Sequence, residues 1–163
     1  MKLATTTGDF QSYTHNQNDA ILEINKAGFK YIDYSFIMDY KNGSGIFGKD
    51  PKGHIDDIKR LVDELEVSFV QAHSPMGEPI IKDNNHQNFI DATNKCIAAC
   101  SKLGIKNLVV HSGYEKGISI EENFVRNKEF YYELFPTAEK YGVNILTENF
   151  NKMWDPQTYW IDN

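Results

Sequence analysis

Apolar positions occur in two different patterns of spacing along the 163-residue chain. Short, nearly continuous apolar runs, rich in β-branched and aromatic residues, predict five strands. Longer stretches with an apolar residue every three or four positions predict amphipathic helices between these strands. The predicted strands are Leu3–Thr7, Lys30–Ile37, Val67–Ala72, Asn107–Val110 and Val143–Leu146. The pattern therefore predicts the order βαβαβαβαβ.

Four segments carry the helical pattern, and three of them end at a glycine that precedes a strand. They are Asn18–Ala27, a segment that begins near Pro51, one with Phe89, Ala92, Cys96, Ala99 and Leu103 on its buried face, and Ser119–Tyr141. The glycines are Gly28, Gly104 and Gly142. Ser119 and Glu122 fit a capping box at the start of the last helix. Because proline lacks the N–H that a helix interior needs, Pro136 should kink or divide that helix.

Nearly continuous apolar strands separated by helices indicate a parallel sheet that is covered by helices. A doubly wound open sheet and a (β/α)8 barrel both satisfy this pattern. No GxGxxG motif follows the first strand, which weakens the dinucleotide-binding version of the open sheet. The short helix–glycine–strand joints and the polar residues at the strand ends favour the barrel. We therefore predict an α/β fold of the (β/α)8 TIM-barrel type.

A complete barrel needs eight strands and typically about 250 residues. This sequence provides five predicted strands in 163 residues. We therefore expect residues 1–163 to form a single domain that is the N-terminal, incomplete part of a TIM barrel. A short form that closes by self-association is the alternative. Because an unclosed sheet exposes strand edges and apolar surface, the lone chain should aggregate, self-associate or be poorly ordered.

Composition narrows the classes of partner and the compartment. The net charge of −6, from 17 basic and 23 acidic residues, argues against a general nucleic-acid binder. The sequence lacks both the apolar run of about 18 residues that spans a membrane and the apolar segment of a signal peptide. A cytoplasmic location is therefore the default expectation. Cys96 and Cys100 lie four positions apart on the apolar helix face, which favours reduced core thiols over a metal or redox pair.

Polar side chains stand at the ends of three successive predicted strands. His73 follows the third strand, His111 the fourth, and Glu148 the fifth. Ligands of parallel α/β sheets bind at these carboxyl ends, and neighbouring strands lie about 4.8 Å apart, so the three side chains should converge. Imidazole and carboxylate together suit divalent Zn, Mn, Co or Fe, although each histidine taken singly also fits a buried structural role. The remaining histidines, expected to be solvated, are His15, His54 and His86.

Four segments resemble the xylose isomerase-like TIM barrels, a superfamily of sugar and sugar-phosphate isomerases and epimerases, inosose dehydratases, and endonuclease IV. The segments are AGFKYIDYSF, VQAHSP, NLVVHSG and KYGVNILTENF. The last is the most specific, because a helix that ends in Tyr-Gly-Val leads into a strand that ends in Glu-Asn. The resemblance spans nearly the whole chain but covers only the first five of eight β/α units.

The resemblance implies a role for each residue at the strand ends. Glu148 matches the first metal-ligand carboxylate, which in the isomerases and epimerases is also one of two acid/base carboxylates. His73 and His111 match positions that line the substrate pocket in the isomerase branch and bind zinc in the endonuclease branch. Asp33 matches an acidic position that supports the pocket. The other expected ligands come from strands six to eight, so the chain as given is expected to be an inactive fragment.

For the complete protein, the resemblance implies metal-dependent isomerisation or epimerisation of a sugar or sugar phosphate through an enediolate. The cofactor would be Mn, Co, Mg or Zn. Trp154 would stack on the sugar or else pack in the core or a lid. The loops Tyr40–Asp50 and Ser74–His86 would cover the mouth of the barrel. Two alternatives stay open, an endonuclease IV-like zinc enzyme that acts on abasic DNA and a non-catalytic binding barrel.

Overall fold

The computed structural model describes residues 2–83 and 85–148, which form one five-stranded sheet with helices packed against it. The strands are β1 (Ala4–Thr6), β2 (Tyr31–Ser35), β3 (Ser68–His73), β4 (Asn107–Val109) and β5 (Asn144–Leu146). Their order in the sheet is their order in the chain, and every neighbouring pair is parallel. The predicted order and the parallel α/β architecture are confirmed.

Five α-helices and two short 3-10 turns connect the strands in the described part of the chain. The helices are α1 (Gln17–Lys26), α2 (Ile37–Asn42), α3 (Pro51–Glu64), α4 (His86–Leu103) and α5 (Ile120–Tyr141). The 3-10 turns are Thr7–Phe10 and Gly45–Phe47. The predicted cap of α5 is confirmed, since Ser119 Oγ accepts a hydrogen bond from the Glu122 N–H at 3.0 Å. The other predicted helices lie within a few residues of α1, α3 and α4.

The chain departs from the predicted pattern after β2 and within α5. The aromatic run predicted as strand to residue 37 leaves the sheet after Ser35, and Phe36 adopts helical angles of φ −81° and ψ −3° to start α2. The segment predicted as the loop Tyr40–Asp50 thus contains the end of a helix and a 3-10 turn. Pro136 does not divide α5, which continues to Tyr141 as one helix.

The core lies between the sheet and the helices. Strand residues that face the helices, such as Tyr34 and Leu108, are 0% exposed, as is Ile97 on α4. Cys96 and Cys100 are also fully buried and unpaired as disulfides, as predicted. Burial raises the pKa of both thiols, so they remain protonated and behave as small apolar side chains. The helix layer is therefore held on the sheet by apolar contact.

A bulge interrupts the pairing between β2 and β3. Ile32 pairs with Phe69, but the next residue, Asp33, pairs with Gln71. One extra residue in β3, Val70, therefore has no pairing partner in β2. Beyond the bulge the pairing is regular and continues to the end of both strands.

A buried polar cluster lies on the helix-facing side of β2. The Tyr34 hydroxyl donates to Asp39 Oδ2 at 3.2 Å and lies 3.0 Å from His54 Nε2. Burial raises the pKa of Asp39, although His54 and the hydroxyl of Ser44 oppose this change. Gly45 is required beside the cluster, because its φ is +55° and a Cβ there would lie 2.4 Å from Asp39 Oδ2.

The structure corrects two of the three predictions for the outlying histidines. His54 is not solvated, since its side chain is 19% exposed and belongs to the cluster with Tyr34. His86 is 15% exposed and lies 3.4 Å from Glu133 across the α4–α5 contact. Only His15 of the three is an exposed residue, as predicted. Both corrections come from helix packing that local sequence does not reveal.

An exposed apolar surface runs along α5 to β5, the last strand of the described sheet. Phe124 is 54% exposed, Tyr132 56% and Phe135 40%, and these three side chains line one pocket with Ile145 of β5. Such a contiguous patch is unusual on a free surface and indicates a place where further protein packs. None of the described helices combines the length and the apolar character needed to span a membrane.

We expect this surface to drive concentration-dependent association, which light scattering after size-exclusion chromatography would measure. Replacing Phe124 and Phe135 with Lys should shift the protein toward monomer, because two charges would have to be buried in the contact. Tyr13→Lys is the matched control, since Tyr13 is 83% exposed and lies elsewhere. A wild-type protein that is monomeric at every concentration would contradict the expectation.

Tyr34→Phe should lower the free energy of unfolding by about 1–3 kcal/mol, because Asp39 and His54 would lose a buried hydroxyl partner while the ring contacts remain. Urea denaturation followed by circular dichroism would measure the change. Tyr13→Phe, at an exposed ring, should leave stability within about 0.5 kcal/mol of wild type.

Candidate metal site at the strand ends

The register of the sheet brings His73, His111 and Glu148 together. His73 pairs with Val109, and Val109 pairs with Leu146. The side chains of His73, Val109 and Leu146 therefore point to the same face of the sheet. His111 and Glu148 each lie two residues beyond their paired neighbours, and a step of two returns a side chain to the same face. The convergence predicted from the sequence is therefore produced by main-chain pairing.

The three side chains have the spacing of ligands to one ion. Glu148 Oε2 lies 3.3 Å from His111 Nε2 and 3.5 Å from His73 Nε2. Candidate ligand atoms of all three residues lie within 4.8 Å of one another. A tetrahedral ion bound at about 2.0–2.2 Å would hold its ligand atoms roughly 3.3–3.6 Å apart. The residues therefore fit a divalent metal, and His111, at 9% side-chain exposure, is the most enclosed of them.

Asp33 lies behind His73. His73 Nδ1 is 2.9 Å from the Asp33 carboxylate, and Gln71 Nε2 donates to Asp33 Oδ2 at 2.8 Å. The carboxylate favours the tautomer with the proton on Nδ1, which leaves Nε2 as the ligand atom. Asp33 is 8% exposed, so its observed contacts are with protein side chains. Its predicted contact with substrate stays a prediction.

Gln71 is a residue of the site that the sequence pattern does not predict. It lies two residues before His73 and therefore shares its face of β3. A polar side chain inside a strand, two positions before a candidate ligand, was the available signal. Trp154, the other predicted substrate-binding residue, lies outside the described residues.

The environments of the two histidines differ in charge. Burial lowers the pKa of His73, but the hydrogen bond and negative charge of Asp33, together with Glu148, outweigh it and raise the pKa above its usual value. Burial lowers the pKa of His111, the positive charge of His73 lowers it further, and Glu148 opposes the change without reversing it. In the metal-free protein, His73 therefore takes up a proton before His111 as the pH falls.

The fold and the site together define an α/β barrel-type protein with a candidate metal centre at the carboxyl ends of its strands. The chain belongs to the xylose isomerase-like TIM barrel family, whose model matches residues 21–159. This family contains the barrels that the sequence segments resemble, so the resemblance is confirmed.

Three solved structures illustrate the likeness. A D-tagatose 3-epimerase-like protein matches with a TM-score of 0.70 and 20% identity over 92% of this chain and 53% of its own. AP endonuclease, family 2, from Brucella melitensis matches with a TM-score of 0.72 and 18% identity over 99% and 60%. The IolI protein with a bound zinc atom matches with a TM-score of 0.67 and 20% identity over 90% and 51%.

These similarities define the fold alone, because all three identities are low. The chain spans about half the length of the first of these proteins, since it covers 53% of it. None of the curated proteins matches the sequence significantly. The chemistry of this chain must therefore be argued from its own residues.

A pH titration of the metal-free protein, followed by NMR of the imidazole C–H signals, should show His73 titrating above a pKa of 6.5 and His111 below it. A raised pKa in the folded state stabilises the fold at low pH, and this contribution is lost as the pH rises through the His73 pKa. Asp33→Asn should lower the His73 pKa, because the charge and the acceptor pair are lost. Asp19→Asn, at a half-buried carboxylate in the first turn of α1, is the control. Equal titration of both histidines would contradict the expectation.

Proposed function

We propose that this chain carries one side of the active site of a metal-dependent isomerase or epimerase that acts on a sugar or a sugar phosphate. The observation that supports this most is the convergence of two imidazoles and one carboxylate at the carboxyl ends of β3, β4 and β5. Membership in the xylose isomerase-like family and the epimerase name among its structural neighbours support the class of reaction.

In this proposal the three side chains divide the work. A divalent ion held by them would polarise the substrate carbonyl and stabilise negative charge that develops on its oxygen. Both imidazole contacts of Glu148 involve Oε2. We assign the other oxygen, Oε1, to the proton on the carbon beside the carbonyl. The remaining acid/base group and further ligands would come from elsewhere in the whole protein, since a proton exchanged between two faces of a carbon needs two groups.

The ligand set also narrows the metal. Two imidazole nitrogens and one carboxylate suit Zn, Co or Mn, whereas Mg prefers oxygen ligands and keeps several waters. Of the four metals expected from the sequence, we therefore propose Mn, Co or Zn. Asp33 and Gln71 would act on the metal indirectly, because they fix the ring orientation of His73.

An endonuclease for abasic DNA is the second candidate, because the AP endonuclease structure matches 99% of this chain and the two histidines could bind zinc. The net charge of −6 disfavours this candidate, since a protein that binds the DNA backbone usually presents a basic surface. We therefore favour the sugar substrate over DNA, and we place the binding-only barrel third.

Metal binding is the first test. Wild-type protein should bind Co(II) or Zn(II) in calorimetry, and His111→Gln or Glu148→Gln should weaken binding at least ~100-fold, since each removes a ligand, while Asp33→Asn should weaken it roughly 10–100-fold. His15→Gln, at an exposed histidine, is the matched control. Wild-type affinity in Glu148→Gln would exclude this metal site and leave the binding-only barrel.

The reaction class is tested separately on the complete reading frame. A ketose or ketose phosphate incubated in D2O with protein and metal should gain deuterium at the carbon beside its carbonyl, and Glu148→Gln should abolish this. Incision of abasic DNA without any deuterium incorporation would overturn the isomerase proposal in favour of the nuclease.

A further inference from the structure

Three polar side chains follow one another along the buried face of α5 at intervals of four residues. They are Asn123, Asn127 and Tyr131, and we call them the polar ladder. Asn123 is 1% exposed and Asn127 is 0% exposed. An amide buried without partners costs several kcal/mol, and asparagine is a poor helix former, so their presence on the buried face of a helix calls for specific contacts.

Both asparagines bind the chain that leaves β4. Asn127 Oδ1 accepts from the Gly113 N–H at 2.8 Å, and its Nδ2 donates to the Gly113 carbonyl at 2.9 Å. Asn123 Oδ1 accepts from the Glu115 N–H at 2.8 Å, and its Nδ2 donates to the Glu115 carbonyl at 3.2 Å. Each amide therefore satisfies both main-chain groups of one residue, as a neighbouring strand does in a sheet.

The spacing of helix and chain explains why the pattern repeats. Four residues of α-helix advance about 6.0 Å, and two residues of extended chain advance about 6.6 Å. The step from Asn127 to Asn123 therefore matches the step from Gly113 to Glu115, with the two segments running in opposite directions. The segment beyond β4 is thus hydrogen-bonded to a helix where β4 itself has ended.

Tyr131 extends the same contacts to both ligand-bearing ends. Its hydroxyl donates to the Val110 carbonyl at 2.9 Å and lies 3.1 Å from Thr147 Oγ1. Val110 directly precedes His111, and Thr147 directly precedes Glu148. The Tyr131 hydroxyl therefore links the residues that precede two candidate metal ligands, His111 and Glu148. The Nε2 atom of His111 lies 3.3 Å from Oε2 of Glu148.

The loop beyond β4 is also confined on its other side. Gly113 lies against the segment that follows β3, and a Cβ at this position would come within 2.8 Å of Pro79 Cδ. Gly113 is thus enclosed between α5 and that segment. The freedom of the chain around His111 is limited from two directions.

We propose that the polar ladder consists of positioning residues that hold His111 at the correct distance from Glu148, with Tyr131 fixing the separation and the two asparagines fixing the loop. This inference deepens the proposed function and rests on it for its metal-binding consequence. The alternative is a purely structural anchor, which would affect folding stability but not the metal site.

Tyr131→Phe tests the separation directly, because it removes the hydroxyl and keeps the ring. Tyr132→Phe is the matched control, since Tyr132 is the next residue and is 56% exposed. Cobalt(II) is the probe, and its visible absorption reports ligand geometry. Tyr131→Phe should weaken Co(II) binding roughly tenfold and change the intensity of the absorption bands, whereas Tyr132→Phe should bind and absorb as wild type.

Thr147→Val should reproduce part of the effect, and the double variant should not exceed Tyr131→Phe, since both remove the same bridge. Thermal denaturation of each variant separates folding from positioning. A loss of stability in Tyr131→Phe with unchanged Co(II) affinity and spectrum would show a structural anchor only and overturn the inference.

Hydrogen exchange of the metal-free protein tests the ladder without reference to metal. Asn127→Ala and Tyr131→Phe should raise amide exchange in residues 110–115, and Asn88→Ala, at an exposed asparagine of α4, should not. If wild type fails to bind Co(II), the proposed function fails, and raised exchange confined to residues 110–115 still supports the ladder. Unchanged exchange in both ladder variants overturns it in either case.

Discussion

The parallel pairing of β3, β4 and β5 is the constraint on which the site depends. His73, Val109 and Leu146 share one level of the sheet, and His111 and Glu148 stand one repeat beyond it on the same face. Main-chain hydrogen bonds thereby bring together side chains that are far apart in sequence. The helices bury the opposite face of the strands, which stabilises the register.

The same alternation separates two kinds of polar chemistry along β2. Asp33 lies on the same face of the sheet as His73 and is hydrogen-bonded to it. Its neighbour Tyr34 faces the helices and contacts Asp39 and His54. Buried ionisable groups thus lie on both sides of one strand, each with its own partners. Keeping them apart lets the protein tune the protonation of His73 through a nearby carboxylate, while the second cluster serves the packing of the helix layer.

The sequence predicts much of this arrangement, because periodicity identifies strands and strand ends locate ligands. What it does not predict depends on tertiary contact. Phe36 begins a helix although its neighbours are typical of strands, and His54 is buried although it stands in a helix start. Gln71 and the paired asparagines of α5, Asn123 and Asn127, fit an ordinary polar pattern until their partners are known. Their roles arise from pairing register and from a loop that crosses the helix.

The bulge between β2 and β3 has a consequence for how such a protein can change over evolutionary time. Val70 is the unpaired extra residue, whereas Gln71 and His73 pair with Asp33 and Ser35. Loss of Val70 would leave both pairs intact, because Phe69 would then lead directly into Gln71 in a regular ladder. A second deletion between Phe69 and His73 would shift His73 by one position and turn its side chain toward the helices. In alignments of descendants, a single-residue deletion should therefore be tolerated at position 70, while further deletions before His73 are purged.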